Sequence, residues 1–373
     1  IFIYTCLFFI TSILIVSIIH WDIVGSGFDL GLLSSDDRHY FYNSESIDYG
    51  KLENWQFRIK NIGYYFVNYI IGKYSIFNPV FEIKIFNVIT FVSSIYIFLN
   101  SIDKLKNYSD YFLITYSLVL LCFPIYLILA INYKDSLLFS LILMQFSFFN
   151  YYMNTKNNLK KFLLIVIFIV VSLFIETIRL GHIYLFIASV LMYITFFNNR
   201  KKGNVLKIFF FCFFTSLIGL FIVEFILHFL LGRSLDGYRE YFEYRSIVIT
   251  GIESFDILTI GFLKSIFQLN PFTTIGYLFT PYGEHGYHGI VYIFGVFCSM
   301  WLWLFSLSYI ALNNFKIYGE TKLLFIYLFY YIGMFSYIYN GMIGYRLSFI
   351  MYLVVALYTS QIIFIKRNTT SNE

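Results

Sequence analysis

Two adjacent carboxylates are the first residues in this sequence whose type and spacing could carry out chemistry. Asp36 and Asp37 lie in the segment SSDDRHY (34–40). Neighbouring carboxylates repel each other and resist full ionisation unless a cation compensates them or one of them serves as a base. Three interpretations stay open: a general base, a metal site that also uses His39, and a solvated acidic turn. The cofactor is also left open, with a divalent metal as one alternative.

Charged residues at the ends of apolar segments are the second group. Lys134 and Asp135 begin one apolar segment, Arg179 follows Glu176 by three residues at the end of another, and Arg346 enters the last one. A cation at such a position can bind a phosphate, and the planar fork of arginine suits a phosphate or pyrophosphate. Structural alternatives stay open as well: Lys134 snorkels to lipid headgroups, Asp135 caps a helix, and Glu176 neutralises Arg179 on one helix face.

Two further groups of polar residues have weaker patterns. Glu224 and His228 are four residues apart in an apolar segment, which fits a proton relay and fits better a hydrogen bond between helices. His285 and His288 have an HxxH spacing beside Glu284, which fits a metal site and fits better a turn, because glycines flank it.

The elements that position these residues are predicted to be transmembrane helices. The chain is 59% hydrophobic and 13% charged, with a mean hydropathy of +0.73, so water is not its main solvent. Apolar runs of about 20 residues match the length of helix that crosses a hydrocarbon core. The alternation expected of a transmembrane barrel strand is missing from runs such as Phe162 to Thr177. We therefore predict an all-α polytopic membrane protein, with no basic cluster for nucleic acid.

About ten spans are predicted in one transmembrane domain covering 1–373. The first is interpreted as a retained anchor rather than a cleaved signal peptide. The predicted spans are 1–19, 81–100, 111–131, 136–153, 162–178, 183–198, 208–232, 289–312, 323–340 and 347–365.

Charge predicts the orientation of these spans. If the first span runs outward, the connections 101–110, 154–161, 199–207 and 313–322 and the tail 366–373 all lie inside. They hold thirteen basic and four acidic side chains, a charge of +9, and the rest of the chain carries −4. The positive-inside rule therefore predicts that both termini lie in the cytoplasm.

Two long external loops follow from this topology. The first, 20–80, contains an amphipathic aromatic stretch at 64–74 that is predicted to be an interfacial helix. The second, 233–288, carries Pro271 and Pro281 among apolar residues, which indicates a re-entrant or interfacial element. Both loops are too aromatic to be disordered.

The order of these features resembles the GT-C superfamily of membrane glycosyltransferases, which use polyprenyl-phosphate-linked sugars. The resemblance is carried by the acidic pair in the first loop, the interfacial helix, the arrangement of Pro124 with Lys134 and Asp135, and the basic residue that enters the last span. It covers most of the chain, and no single motif in it is highly specific. Only eight residues follow Ile365, so the resemblance does not extend to a soluble C-terminal domain.

The resemblance implies a function and roles for individual residues. Asp36 or Asp37 would be the base that deprotonates an acceptor hydroxyl. Lys134, Arg179 and Arg346, with Asp135 beside them, would bind the lipid phosphate. The implied partners are the bilayer and a polyprenyl-phosphate-linked sugar or oligosaccharide. The implied location is the bacterial inner membrane, and the implied process is capsule or O-antigen assembly.

Two other functions stay open. Wzy-type polymerases of bacterial surface polysaccharides share the size, the aromatic composition and the long late external loop, and would depend more on arginines. A transporter or lipid-glycan flippase would place polar residues near the bilayer midplane, where Glu224 and His228 are the candidates.

Overall fold

The structure is a computed structural model, and it describes much of the chain. The described residues are 3, 6, 7, 10, 35–51, 54–55, 61–102, 114–115, 118–119, 129, 134–179, 181–197, 202–231, 304–306, 308–313, 316–318, 321–338 and 345–370. The predicted spans 1–19, 111–131 and 289–312 lie mostly outside these residues, and the predicted loop 233–288 lies wholly outside them.

The described residues form helices and one short two-stranded ribbon, together with the short turns that join them. In chain order the elements are α1 (Ser35–Glu45), α2 (Ile62–Tyr74), α3 (Pro79–Ser101), α4 (Lys134–Asn154), α5 (Asn158–Ile178), α6 (His182–Met192) with a π-helical turn (Tyr193–Phe197), β1 (Lys202–Asn204), α7 (Val205–Leu231), β2 (Lys316–Tyr318), α8 (Thr321–Ile338) and α9 (Tyr345–Thr370).

Three of these helices are long and apolar enough to cross a membrane. They are α3, with 23 residues, and α4 and α5, with 21 residues each. A rise of about 1.5 Å per residue makes each at least about 30 Å long, the thickness of a hydrocarbon core. The helix α2 has 13 residues and is too short to span. The described helices thus support the coarse prediction of a helical membrane protein.

Local sequence explains where α3 and α5 begin. The Asn78 side chain accepts hydrogen bonds from the first free amides of α3, and Pro79 occupies its first turn, where a missing N–H costs nothing. Asn157 caps α5 in the same way. Both helices begin at these asparagines because the sequence satisfies amides that would otherwise lack partners.

Contacts along the chain group into two compact units. The first contains Ile1–Tyr184, Tyr282–Gly295 and Ser360–Glu373, and the second contains Leu185–Pro281 and Val296–Thr359. This grouping does not test the prediction of a single transmembrane domain, which stays a prediction.

In the first unit, α4 packs between α3 and α5. Asn150 near the end of α4 donates a hydrogen bond to Ser101 at the end of α3, so these two helices run in the same direction. Gln145 on α4 donates to the Ser172 hydroxyl on α5. Such bonds satisfy polar side chains that have little access to water.

The first turn of α2 packs directly on the last turn of α5. A β-carbon placed on Gly63 would lie 2.1 Å from the Thr177 Oγ1 atom and 3.1 Å from the Thr177 Cβ atom. Rotation of the Thr177 side chain cannot relieve the second contact. Gly63 therefore allows the two backbones to approach closely.

We predict that Gly63→Ala destabilises the protein by about 1–3 kcal/mol, the usual cost of overpacking. Gly72→Ala in the same helix is the matched control, because nothing lies within 4 Å of its added β-carbon. Alanine favours a helix over glycine, so the control should be neutral or stabilising. Thermal unfolding in detergent measures both variants, and equal unfolding temperatures would contradict the close approach.

In the second unit, a ribbon holds the starts of α7 and α8 together. β1 pairs antiparallel with β2, with Lys202 opposite Tyr318. The Thr215 and Tyr330 hydroxyls, at similar distances from the two helix starts, are 2.9 Å apart, so the helices run in parallel. The pairing agrees with the prediction that connections 199–207 and 313–322 lie on the same side.

Candidate functional site

Four helix ends meet at one end of the first unit. The Lys134 Nζ atom, at the start of α4, donates a hydrogen bond of 2.6 Å to the Asn61 Oδ1 atom, just before α2. The Arg179 Nη1 atom, just after α5, lies 2.9 Å from the Asp135 Oδ1 atom. We call Asn61, Lys134, Asp135, Glu176, Arg179 and His182 the polar cluster. Three residues predicted from sequence as phosphate-binding therefore lie in one place.

The ion pair of the polar cluster is largely removed from solvent. The exposed fractions are 14% for the Arg179 side chain and 1% for that of Asp135. A charge in such a position is costly without a partner, which is why the two residues need each other. Asp135 is thus an ion-pair partner, whereas the sequence left open that it only caps a helix.

Glu176 does not pair with Arg179, although both lie near the end of α5. Arg179 has left the helix, with φ −157° and ψ 119°, so the three-residue helical spacing no longer brings the side chains together. The Glu176 carboxylate accepts hydrogen bonds from the amides of Gly181, at 2.8 Å, and Ile183. The alternative of a mutually neutralising Glu176 and Arg179 pair is therefore wrong. Glu176 instead holds the turn that starts α6.

The turn between α5 and α6 needs a glycine. Gly181 has φ +96°, a conformation that residues with a β-carbon rarely adopt. It leads into His182, which is 1% exposed and precedes the predicted span 183–198. Burial lowers the pKa of the His182 imidazole well below its usual value, and the positive charges of Arg179 and Lys134 lower it further.

Helix dipoles contribute to the electrostatics of the polar cluster. The starts of α2, α4 and α6 all lie at the polar cluster, and the N-terminal end of a helix carries a partial positive charge of about half a unit. One C-terminal end, that of α5, opposes them. The charges of Lys134 and Arg179 are balanced by those of Asp135 and Glu176, so the suitability of the cluster for an anion rests on the excess of helix starts over helix ends.

Asn61 is a residue of this cluster that reasoning from the sequence missed. It has a left-handed backbone, with φ 64° and ψ 22°, which asparagine tolerates better than most residues. Its carbonyl accepts the amides of Tyr64 and Tyr65, so the residue both starts α2 and binds Lys134. An asparagine just before an amphipathic stretch is the signal that could have identified it.

Two buried polar residues on α3 were also missed. Lys84 and Asn87 are both 0% exposed and lie three residues apart on one face. Asn87 donates a hydrogen bond of 3.2 Å to the Tyr64 hydroxyl on α2, and its own Oδ1 atom has no hydrogen-bond partner. Their shared face within an apolar segment is the signal that could have indicated them.

The helix that carries the acidic pair packs on α2. His39 on α1 has its Nε2 atom 2.7 Å from the Tyr65 hydroxyl, and the Tyr40 ring lies 5.1 Å from that of Tyr64. The side chains of Asp36 and Asp37 lie outside the described residues, but their helix positions are described. Asp36 precedes His39 and Tyr40 by three and four residues and shares their face, whereas Asp37 is rotated about 100° from it.

The remaining candidates are described only in part. Arg346 lies in the first turn of α9, in the second unit, and its side chain is outside the described residues. Glu224 and His228 lie on α7 with their side chains likewise outside, and loop 233–288 with His285 and His288 is wholly outside. Among the described residues there is no group of three or more His, Cys, Asp or Glu residues that could hold a metal.

Three of the described helices are long and apolar enough to span a membrane, and they bury polar contacts between them. These features define a helical membrane protein. The chain matches no protein-family profile, no curated protein and no solved structure. Its function therefore has to be argued from the polar cluster and the helices that form it.

Proposed function

We propose that this protein is an integral-membrane enzyme that transfers a glycosyl group from a polyprenyl-phosphate-linked donor during bacterial surface polysaccharide assembly. The observation that carries the proposal is the polar cluster. It places two cations and three helix N-termini beside the ends of α4 and α5, two helices that are long enough to span a membrane. Such a place suits a ligand whose phosphate is anionic and whose tail is apolar.

The cations stabilise the leaving group of this reaction. When the bond between the anomeric carbon and the phosphate oxygen breaks, negative charge develops on the departing polyprenyl phosphate. Lys134 and Arg179 are the residues that compensate this charge. A guanidinium has five N–H donors, so the bond between Arg179 and Asp135 orients the group and is compatible with phosphate binding.

Asp36 is the residue that we assign as the base. The carboxylate accepts the proton of the acceptor hydroxyl while that oxygen forms the new bond to the anomeric carbon. A continuous set of contacts supports the assignment: α1 packs on α2 through His39 and Tyr65, and the residue that starts α2, Asn61, binds Lys134. The helix spacing favours Asp36 over Asp37 because Asp36 is three and four residues from His39 and Tyr40, whereas Asp37 is three residues from Tyr40 alone.

A polymerase that joins lipid-linked repeat units is the second candidate. It also handles a lipid phosphate, and it would depend more on Arg179 and Arg346 than on a carboxylate. The polar cluster supports either enzyme. A flippase has less support, because the described charges of the cluster lie at helix ends and not at helix centres.

The structure and location of the glycan repeat unit in cells that lack this protein distinguish the three functions. We expect deletion of the gene to leave a repeat unit that lacks one sugar, and the intact gene to restore it. Complete single repeat units at the cell surface would identify a polymerase. Complete lipid-linked units that stay on the cytoplasmic side would identify a flippase. Either of these two results would contradict single-sugar transfer.

A further inference from the structure

The ribbon of β1 and β2 lies at the starts of two apolar helices in the second unit, α7 and α8. Lys202 is opposite Tyr318 and Asn204 is opposite Lys316. Residues opposite each other in an antiparallel pair share a face, and every second residue of a strand returns to that face. These four residues therefore belong to one face of the ribbon, which we call the ribbon face. It carries two lysines and a tyrosine.

The ribbon face lies at the level where apolar side chains begin to be exposed. On α7, which starts directly after β1, Leu206, Phe210, Phe214 and Ile218 are between 42% and 58% exposed. They are four residues apart, so they form a stripe along one side of the helix. In a membrane such a stripe contacts hydrocarbon. The ribbon, at the end of the stripe, is therefore at the level of the lipid headgroups.

The positive charge around the ribbon exceeds the nearby negative charge. The connections 199–207 and 313–322 contain six basic residues and one acidic residue, Glu320. Within the described part of the second unit the sole acidic residue is Glu224, 17 residues beyond Lys207 and about 25 Å away along α7. The polar cluster of the first unit differs, because its two cations have two carboxylates beside them.

Two helix starts add to this charge. The helices α7 and α8 run in parallel from the ribbon, and the N-terminal end of each carries a partial positive charge. Asn204 accepts hydrogen bonds from the amides of Leu206 and Lys207, which fixes the start of α7 next to β1. The Lys207 side chain is exposed there. Lys322, in the first turn of α8, is 2% exposed and contributes its charge from inside the protein.

We infer that the ribbon face binds the phosphate headgroups of anionic phospholipids, such as phosphatidylglycerol, in the leaflet on the predicted cytoplasmic side. Lys202 and Lys316 provide the cations, and tyrosine, the residue type at position 318, is enriched at headgroup level. Charge complementarity identifies the occupant, because anionic lipids attract basic segments beside a membrane helix. The position at headgroup level favours a lipid over a soluble anion. The inference concerns the second unit and does not depend on the proposed glycosyl transfer.

The start of α5 provides a matched control. It is also capped by an asparagine, Asn157, and lies in a connection, 154–161, that is predicted to be on the same side of the membrane. This connection carries three lysines and no acidic residue, and the Lys156 and Lys160 side chains are exposed. It joins the end of α4 to the start of α5, so the two helix dipoles oppose each other there.

Photo-crosslinking of the intact protein in phosphatidylcholine liposomes tests the inference. The probe is phosphatidylglycerol with a diazirine close to its headgroup, the control probe is the corresponding phosphatidylcholine, and peptide mapping counts adducts at 202–210. Each lysine beside an anionic membrane surface contributes about a fivefold preference, so we expect at least about tenfold more adducts with phosphatidylglycerol. Lys202→Gln with Lys316→Gln should remove most of this excess. Lys156→Gln with Lys160→Gln, which removes the same charge, should leave it unchanged.

Two further measurements make the test independent of how well the glutamine variant folds. Lys202→Arg with Lys316→Arg should keep the excess, and the excess in the native protein should fall as salt is added, since salt screens exposed charges. An excess that is insensitive to salt, or that falls equally with the control pair, would overturn the ribbon face as a lipid site. Loss of the excess on addition of soluble glycerol phosphate would also overturn it, in favour of a site for soluble anions.

Discussion

Asp36→Asn is expected to lower the rate of glycosyl transfer by about 10²- to 10⁴-fold, the usual contribution of a general base. Asparagine has nearly the same size and keeps an acceptor oxygen, but it cannot take the proton of an acceptor hydroxyl. The helix α1 should stay packed on α2, because the contacts of His39 and Tyr40 are unchanged. The loss should therefore appear in the rate and not in the amount of protein.

Asp37→Asn is the matched control for this experiment. It makes the same chemical change one residue away, on a part of α1 that is rotated about 100° from the face packed on α2. We expect it to keep most of the activity. The measurement is surface polysaccharide in complemented cells, together with protein level in the membrane. Unchanged polysaccharide with Asp36→Asn would remove its catalytic role, and a loss with Asp37→Asn alone would reverse the assignment.

The second large effect is expected at the buried ion pair. Asp135→Asn or Arg179→Gln alone should destabilise the protein by about 3–5 kcal/mol, because each breaks a buried ion pair and removes the charge that compensates its partner. The double variant D135N/R179Q should recover most of this stability, since two amides can form a hydrogen bond without carrying charge. Thermal unfolding in detergent measures all three variants against the native protein.

Activity distinguishes a structural ion pair from a phosphate site. If Arg179 also stabilises the departing phosphate, the double variant should be stable but at least about tenfold slower, because a charge-assisted hydrogen bond contributes about 1.5–3 kcal/mol. Recovery of both stability and activity in the double variant would make the pair purely structural. That result would leave Lys134 as the remaining cation of the cluster.

Much of the helical framework was predictable from hydropathy alone. The predicted spans 81–100, 136–153 and 162–178 correspond to α3, α4 and α5, with ends that differ by about four residues at most. The stretch at 64–74 was also recognised as a separate short helix. Apolar runs and caps such as Asn78 and Asn157 are local in sequence, so they can be read without knowing the fold.

The partners within the polar cluster were much less predictable. Glu176 and Arg179 have the spacing of a helical pair, but the helix ends at Ile178 and the pair does not form. Arg179 meets Asp135 across 44 residues, and Lys134 meets Asn61 across 73. Residue types indicated which side chains carry charge, and they did not indicate which of them meet.

The sequence by itself determined that this is a helical membrane protein with charged residues at the ends of its apolar segments. A helix that crosses a hydrocarbon core must be a long apolar run. The length and composition of such a run can be read directly from the sequence. Only the tertiary structure decided that α1 packs on α2 through His39 and Tyr40, that Arg179 pairs with Asp135, and that Asn61 binds Lys134. These contacts depend on how the helix ends come together in space. Gly63 allows α2 to approach α5 closely, and Gly181 allows the turn between α5 and α6.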